Sequence, residues 1–146
     1  MSNSVRQNTT NHSVGGGWTV PGDDGDAKAK VNLSFSCRAL ADMDTVTVTD
    51  PFIKFYELKC GVWTLLGETE QIDNNLNPNF AKSFEVEFVF ETKQLFKVEV
   101  FDYDSETKKD YIGEHEFELG ELAGAKNNII IAELKDKRTF KPKRGK

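Results

Sequence analysis

The chain has 146 residues, 38% of them hydrophobic, with eleven phenylalanines and a formal net charge of −5. That is enough apolar material for the core of one ordinary domain. No stretch approaches the roughly 20 consecutive apolar residues of a membrane-spanning helix, and the N-terminal MSNSVRQNTTNHS lacks the apolar centre of a secretory signal, so a cytoplasmic protein is expected.

The charge is unevenly placed. Residues 135–146 hold seven basic side chains and one acidic, a net of +6, whereas the preceding 134 residues hold twelve basic and 23 acidic, a net of −11. An acidic body therefore precedes a basic C-terminal segment, which suits contact with phosphates or lipid headgroups, or plain solvation. No nucleic-acid partner is expected. Cys37 and Cys60 form no Cys-x-x-Cys pair and should remain thiols in a reducing compartment.

Residues 1–28 are rich in Asn, Ser, Thr and Gly without apolar periodicity, which predicts a flexible leader. The glycine run at 15–17 is linker, since neither a preceding strand nor a Gly-Lys-Ser/Thr ending makes it a phosphate loop. From Lys30 the pattern becomes strict alternation, with Val31, Leu33, Phe35 and Cys37 on one face and Asn32, Ser34, Ser36 and Arg38 on the other, a half-buried strand. Period-2 runs follow in PFIKFYEL, VWTLLGETE, KSFEVEFVF, LFKVEVF, YIGEHEFEL and NNIIIAEL, separated by loops of Asp, Asn, Gly or Pro. Seven strands are predicted within residues 29–134, and only LGELAGAK offers a helical turn. An all-β fold of two antiparallel sheets packed face to face follows.

Two acidic loops stand out. ADMDTVTVTDPF carries Asp42, Asp44 and Asp50; VFDYDSETKKDYIG, residues 100–113, carries Asp102, Asp104, Glu106 and Asp110, which repel one another at neutral pH. Asp102 and Asp104 are two apart at a strand end and project to one side, with Tyr103 pointing away. Carboxylates from two loops, with neither histidine among them, suit a hard cation taking six to eight oxygens: calcium better than zinc, and better than magnesium, which favours octahedral sites rich in water. No nucleophile with a neighbouring base lies in these loops, so catalytic residues are expected to be none and the chain is not expected to be an enzyme.

LADMDTVTVTDPF, NNLNPNF and VFDYDSETKKDYIG, in that order, resemble the C2 domain, the calcium-dependent phospholipid-binding β-sandwich family, and in particular the first such domain of copines. The resemblance covers residues 29–134 and implies an eight-stranded antiparallel C2-type sandwich. It implies calcium ligands at Asp44, Asp50, Asp102, Asp104 and Asp110, with the carbonyls of Met43 and Tyr103 and, for an additional ion, Thr107. Asn77-Pro78 is expected to be structural, the proline holding Asn77 extended. Membrane contact is expected from Val46 and Val48 at the first-loop tip and from Lys108 and Lys109 on the third loop.

The function implied is calcium-dependent binding to anionic phospholipid, recruiting a copine-like protein from cytoplasm to membrane when calcium rises. The alternative is a calcium-independent protein–protein interaction module of the same fold, with protein partners. Copines continue into further domains, so the chain is read as a fragment or a free-standing relative. Because the family has eight strands and seven are counted, one sheet is expected to lack its last strand, leaving an edge that RTFKPKR or GWTVP would partly cover and that invites self-association.

Overall fold

The computed structural model describes residues 4–11, 28–41 and 48–137. Among them run eight strands: β1 (Ser4–Asn11), β2 (Lys28–Arg38), β3 (Pro51–Lys59), β4 (Val62–Glu68), β5 (Phe84–Val89), β6 (Leu95–Tyr103), β7 (Lys109–Glu118) and β8 (Ile129–Glu133). The one α-helix among these residues, α1 (Leu119–Gly124), joins β7 to the approach to β8 and buries Leu119 and Leu122. The strands form two four-stranded sheets, ordered β5-β2-β1-β8 and β4-β3-β6-β7, with every neighbouring pair antiparallel.

The alternation read from the sequence is what buries the core. On β2, Val31, Leu33, Phe35 and Cys37 are buried, and they meet Ile53 and Phe55 of β3, Phe96, Val98 and Val100 of β6, and Ile112 and Phe117 of β7. Phe55 is fully buried at the centre, with ring centroids of Phe84, Phe35 and Phe96 at 4.9, 5.3 and 5.4 Å. Burying such a side chain stabilises the fold by about 1.5–3 kcal/mol. Burial also pushes the Cys37 thiol up to about 12, leaving it an inert apolar filler, while Cys60 is exposed in the β3–β4 hairpin.

The expected count of seven strands is corrected. The eighth is β1, inside the stretch predicted to be a flexible leader, and it lies between β2 and β8: Val5 pairs with Cys37 on one side and with Ala132 on the other. A strand flanked on both sides draws its stability from two hydrogen-bonded ladders formed with distant residues, a term that apolar periodicity does not report. GWTVP and RTFKPKR, the two segments expected to cover an open edge, lie outside the described residues.

Past β8 the chain crosses to the second sheet. Leu134 enters the core, and Lys135 exchanges two backbone hydrogen bonds with Glu114, at 2.8 and 2.9 Å, along the edge of β7. Lys137 Nζ reaches Glu116 at 2.8 Å. Gly113 makes room for this crossing, since a Cβ there would lie 3.0 Å from Leu134 Cβ.

The antiparallel order carries the described residues 39–41, 48–50, 69–83 and 104–108 to one end of the sandwich, where the β2–β3 and β4–β5 connections are hydrogen-bonded to each other and to the neighbouring strand ends. Asn75 donates to Thr49 O at 3.0 Å, Ile72 to Pro51 O at 3.0 Å, Leu40 to Leu76 O at 3.0 Å and Cys37 to Pro78 O at 2.9 Å.

Candidate functional site

That end of the sandwich is organised around Asp50. Its N–H donates to Asp102 Oδ1 at 2.9 Å, its carbonyl accepts from Tyr103 N–H at 2.9 Å, and its Oδ1 accepts from Asn74 N–H at 2.7 Å. One residue thus ties the first loop to the 69–83 connection and to the end of β6. Thr49 beside it is fully buried and donates from Oγ1 to Ala41 O at 3.0 Å, closing the first loop across its base.

Asp102 shares the inward face of β6 with Phe96, Val98 and Val100, and it is only 6% exposed. Across β7 it stands opposite Asp110, and this pairing depends on a bulge. Val100 pairs with Gly113 but Phe101 pairs with Tyr111, so Ile112 is an extra residue that shifts the register by one. Continued without it, the ladder would set Asp102 against Tyr111. Burial raises the Asp102 carboxyl pKa; the Asp50 N–H opposes that rise, while the charges of Asp50, Asp110 and Asp104 add to it.

Asp104 opens the five-residue loop between β6 and β7, and its Oδ2 lies 3.5 Å from Lys108 Nζ. Tyr103 points to the other face, as the i, i+2 alternation predicts. Its ring packs edge-on to Phe52 at 6.4 Å, its hydroxyl donates to Glu106 Oε2 at 2.7 Å, and Lys109 Nζ sits 5.3 Å above it. The repulsion among the loop acids is therefore offset piecewise: Lys108 meets Asp104, Tyr103 meets Glu106, and the Asp50 N–H meets Asp102.

Thr107 is exposed, with its hydroxyl 3.3 Å from Ser105 Oγ, and Val48 is 39% exposed. Met43, Asp44 and Val46 lie outside the described residues. Among the described residues, no three Asp, Glu, His or Cys side chains converge as a metal-binding group. The structure brings Asp50, Asp102 and Asp110 to adjoining positions and turns Asp104 onto Lys108.

The NLNPN segment has the structural role expected of it. Ala39 has left-handed backbone geometry, φ 57°, and its N–H is held by Asn77 Oδ1 at 2.9 Å, while Arg38 Nη2 donates to Asn79 Oδ1 at 2.8 Å. Sequence reasoning missed Asn74 and Thr49 as positioning residues. Asn74 acts through its backbone N–H on the Asp50 carboxylate of another loop, and Thr49 through its hydroxyl on Ala41 O eight residues away, pairings that no local pattern signals.

Residues 31–134 match the sequence model of the C2 domain. The chain belongs to the C2 domain family. Copine-E of Dictyostelium discoideum is 40% identical over 113 residues, covering 73% of this chain and 20% of that protein. Copine-B of the same organism is 34% identical over 120 residues, 76% and 23% of the two chains. Nicotinic receptor-associated protein 1 of Caenorhabditis elegans is 32% identical over 136 residues, 82% and 20%. The chain thus spans about a fifth of the length of these relatives. In fold, this C2 domain resembles a C2 domain of RIM from Drosophila, with a TM-score of 0.61 at 15% identity, covering 92% of this chain and 99% of that one. The resemblance to copines read from the loop motifs is borne out.

The donor chemistry at the loop end of this C2 domain fits calcium. The polar side chains there include carboxylates, amides and hydroxyls, which are oxygen donors; one of them, Asp102, is held buried with its charge opposed by its neighbours, while the Lys108 ammonium stands beside Asp104. Imidazole is not among them: His115 sits farther along β7, its ring stacked 6.3 Å from Phe117.

Proposed function

We propose that this C2 domain is a non-catalytic, calcium-dependent membrane-binding module of a copine-like protein, held in the cytoplasm and recruited to anionic phospholipid when calcium rises. The observation that carries the reading is Asp102, 6% exposed yet facing Asp110 across the strand and bonded by Asp50 N–H at 2.9 Å. A buried carboxylate with like-charged neighbours is costly unless a cation joins it.

Asp44, Asp50, Asp102, Asp104 and Asp110 would hold the ions, with the carbonyls of Met43 and Tyr103 and, for an added ion, Thr107. Five carboxylates set about −5 at the rim, which repels anionic lipid, and two or three Ca²⁺ bring about +4 to +6, which cancels or reverses it. Calcium when bound supplies positive charge and open coordination sites for lipid oxygens. Val48, exposed on the first loop, and Val46 would add apolar insertion, and Lys108 and Lys109 would add about 1 kcal/mol each near an anionic surface.

The alternative, a calcium-independent protein-docking module of the same fold, gains from one observation: Asp104 already has a partner in Lys108 at 3.5 Å. Co-sedimentation with phosphatidylserine-containing and pure phosphatidylcholine vesicles, each with calcium and with chelator, separates the two. Binding only to the anionic vesicles and only with calcium is the expected result. Equal sedimentation in chelator, or none in any arm, overturns the membrane reading.

A further inference from the structure

Lys108 and Lys109 are adjacent, yet the structure gives them opposite tasks. The loop between β6 and β7 is five residues long, closed at its base by the Tyr103–Lys109 pair. Inside it, the N–H groups of Asp104 and Ser105 both donate to Lys108 O, at 3.0 and 2.9 Å, and Lys108 N–H donates back to Ser105 O and Oγ, at 3.2 and 3.1 Å. The backbone of Lys108 is therefore fixed, and its ammonium stands 3.5 Å from Asp104 Oδ2. Lys109 turns to the other face, where Nζ donates to Glu106 O at 2.8 Å and lies over the Tyr103 ring.

We infer that Lys108 is the resident counter-ion of the rim, which calcium displaces from Asp104 and thereby frees to face an anionic surface. The inference rests on the calcium reading proposed above and adds a coupling to it. A divalent ion held by Asp104 and an ammonium 3.5 Å from the same carboxylate repel each other, so the two occupy Asp104 in alternation. The Lys108 side chain is 65% exposed, so once released it swings into solvent without crossing packed atoms. One cation thus acts with opposite sign in two equilibria: it competes with calcium in water and assists the calcium-loaded domain at a membrane.

The test compares the 146-residue chain with Lys108→Gln, Lys108→Arg and Lys59→Gln, the last removing the same charge at the opposite end of the sandwich. Calcium is titrated calorimetrically without lipid, and binding to phosphatidylserine–phosphatidylcholine vesicles is measured at saturating calcium. Lys108→Gln should bind calcium about two- to fivefold more tightly, the range of an exposed ion pair, and bind the vesicles about fivefold more weakly. Lys108→Arg should behave as the parent chain, and Lys59→Gln should leave calcium affinity unchanged. Calcium affinity unchanged or weakened in Lys108→Gln, while the parent chain binds calcium, overturns the inference alone. A parent chain that binds no calcium overturns the underlying reading and the inference with it.

Discussion

Asp102 on β6 and Asp110 on β7 face each other directly because Ile112 is bulged out of the ladder between them. Two carboxylates placed in line at the mouth of a sandwich, one of them 6% exposed, destabilise each other in the absence of a cation. That relationship underlies the first two predictions.

Calcium should stabilise the chain, because an ion that binds only the folded state contributes RT ln(1 + [L]/Kd), about 2.7 kcal/mol at a hundred times Kd. Melting curves with calcium and with chelator measure this as a rise in Tm. The double variant Asp102→Asn, Asp104→Asn keeps side-chain size, removes two charges and should abolish the rise. A variant that responds like the parent chain would put the ion elsewhere.

Asp102 should contribute a loss of stability to the calcium-free domain as pH rises through and above the ordinary aspartate range. The Asp102 carboxyl titrates higher in the fold than its ordinary 3.8, so the folded state holds this proton more firmly than the unfolded chain does. Its contribution is fully present below the unfolded pKa and is lost as pH climbs through the raised folded one. Asp102→Asn retains an oxygen to accept from Asp50 N–H and should flatten this slope in chelator. Parallel pH profiles for the two chains would sink the assignment.

Deleting residues 1–11 should do more than trim a tail. β1 is an interior strand, so its removal leaves β2 and β8 each with an unpaired edge in the middle of the first sheet. The truncated chain should self-associate in sedimentation velocity and lose its cooperative thermal transition. A monomer with unchanged Tm would show that β1 contributes nothing to the sheet.

Val48→Trp should report the membrane directly. Val48 is 39% exposed on the first loop, two residues from Asp50, so a ligated Asp50 orients it with the ion site. A blue shift in Trp emission is expected only when calcium and anionic vesicles are both present. Co-sedimentation with an unshifted spectrum would move the contact off this loop tip.

Alternation of apolar and polar side chains was sufficient to find β2 to β8, the two-sheet architecture and the gathering of aspartates at strand ends, because one-sided burial at period 2 is a local property written residue by residue. The loop motifs carried the family for the same reason: their spacing is contiguous in the chain. What lay beyond the sequence was everything set by distant partners. β1 is a strand through ladders with residues 31–38 and 129–133, and the Ile112 bulge is a register choice between two strands that decides which residue meets Asp102. The division of labour between Lys108 and Lys109 follows from a loop closing on its own backbone, and the role of Asn74 from a neighbouring loop placing Asp50 beside it. Hydrogen-bond ladders, bulges and counter-ions are chosen by packing across the sandwich, so only the tertiary structure could decide them.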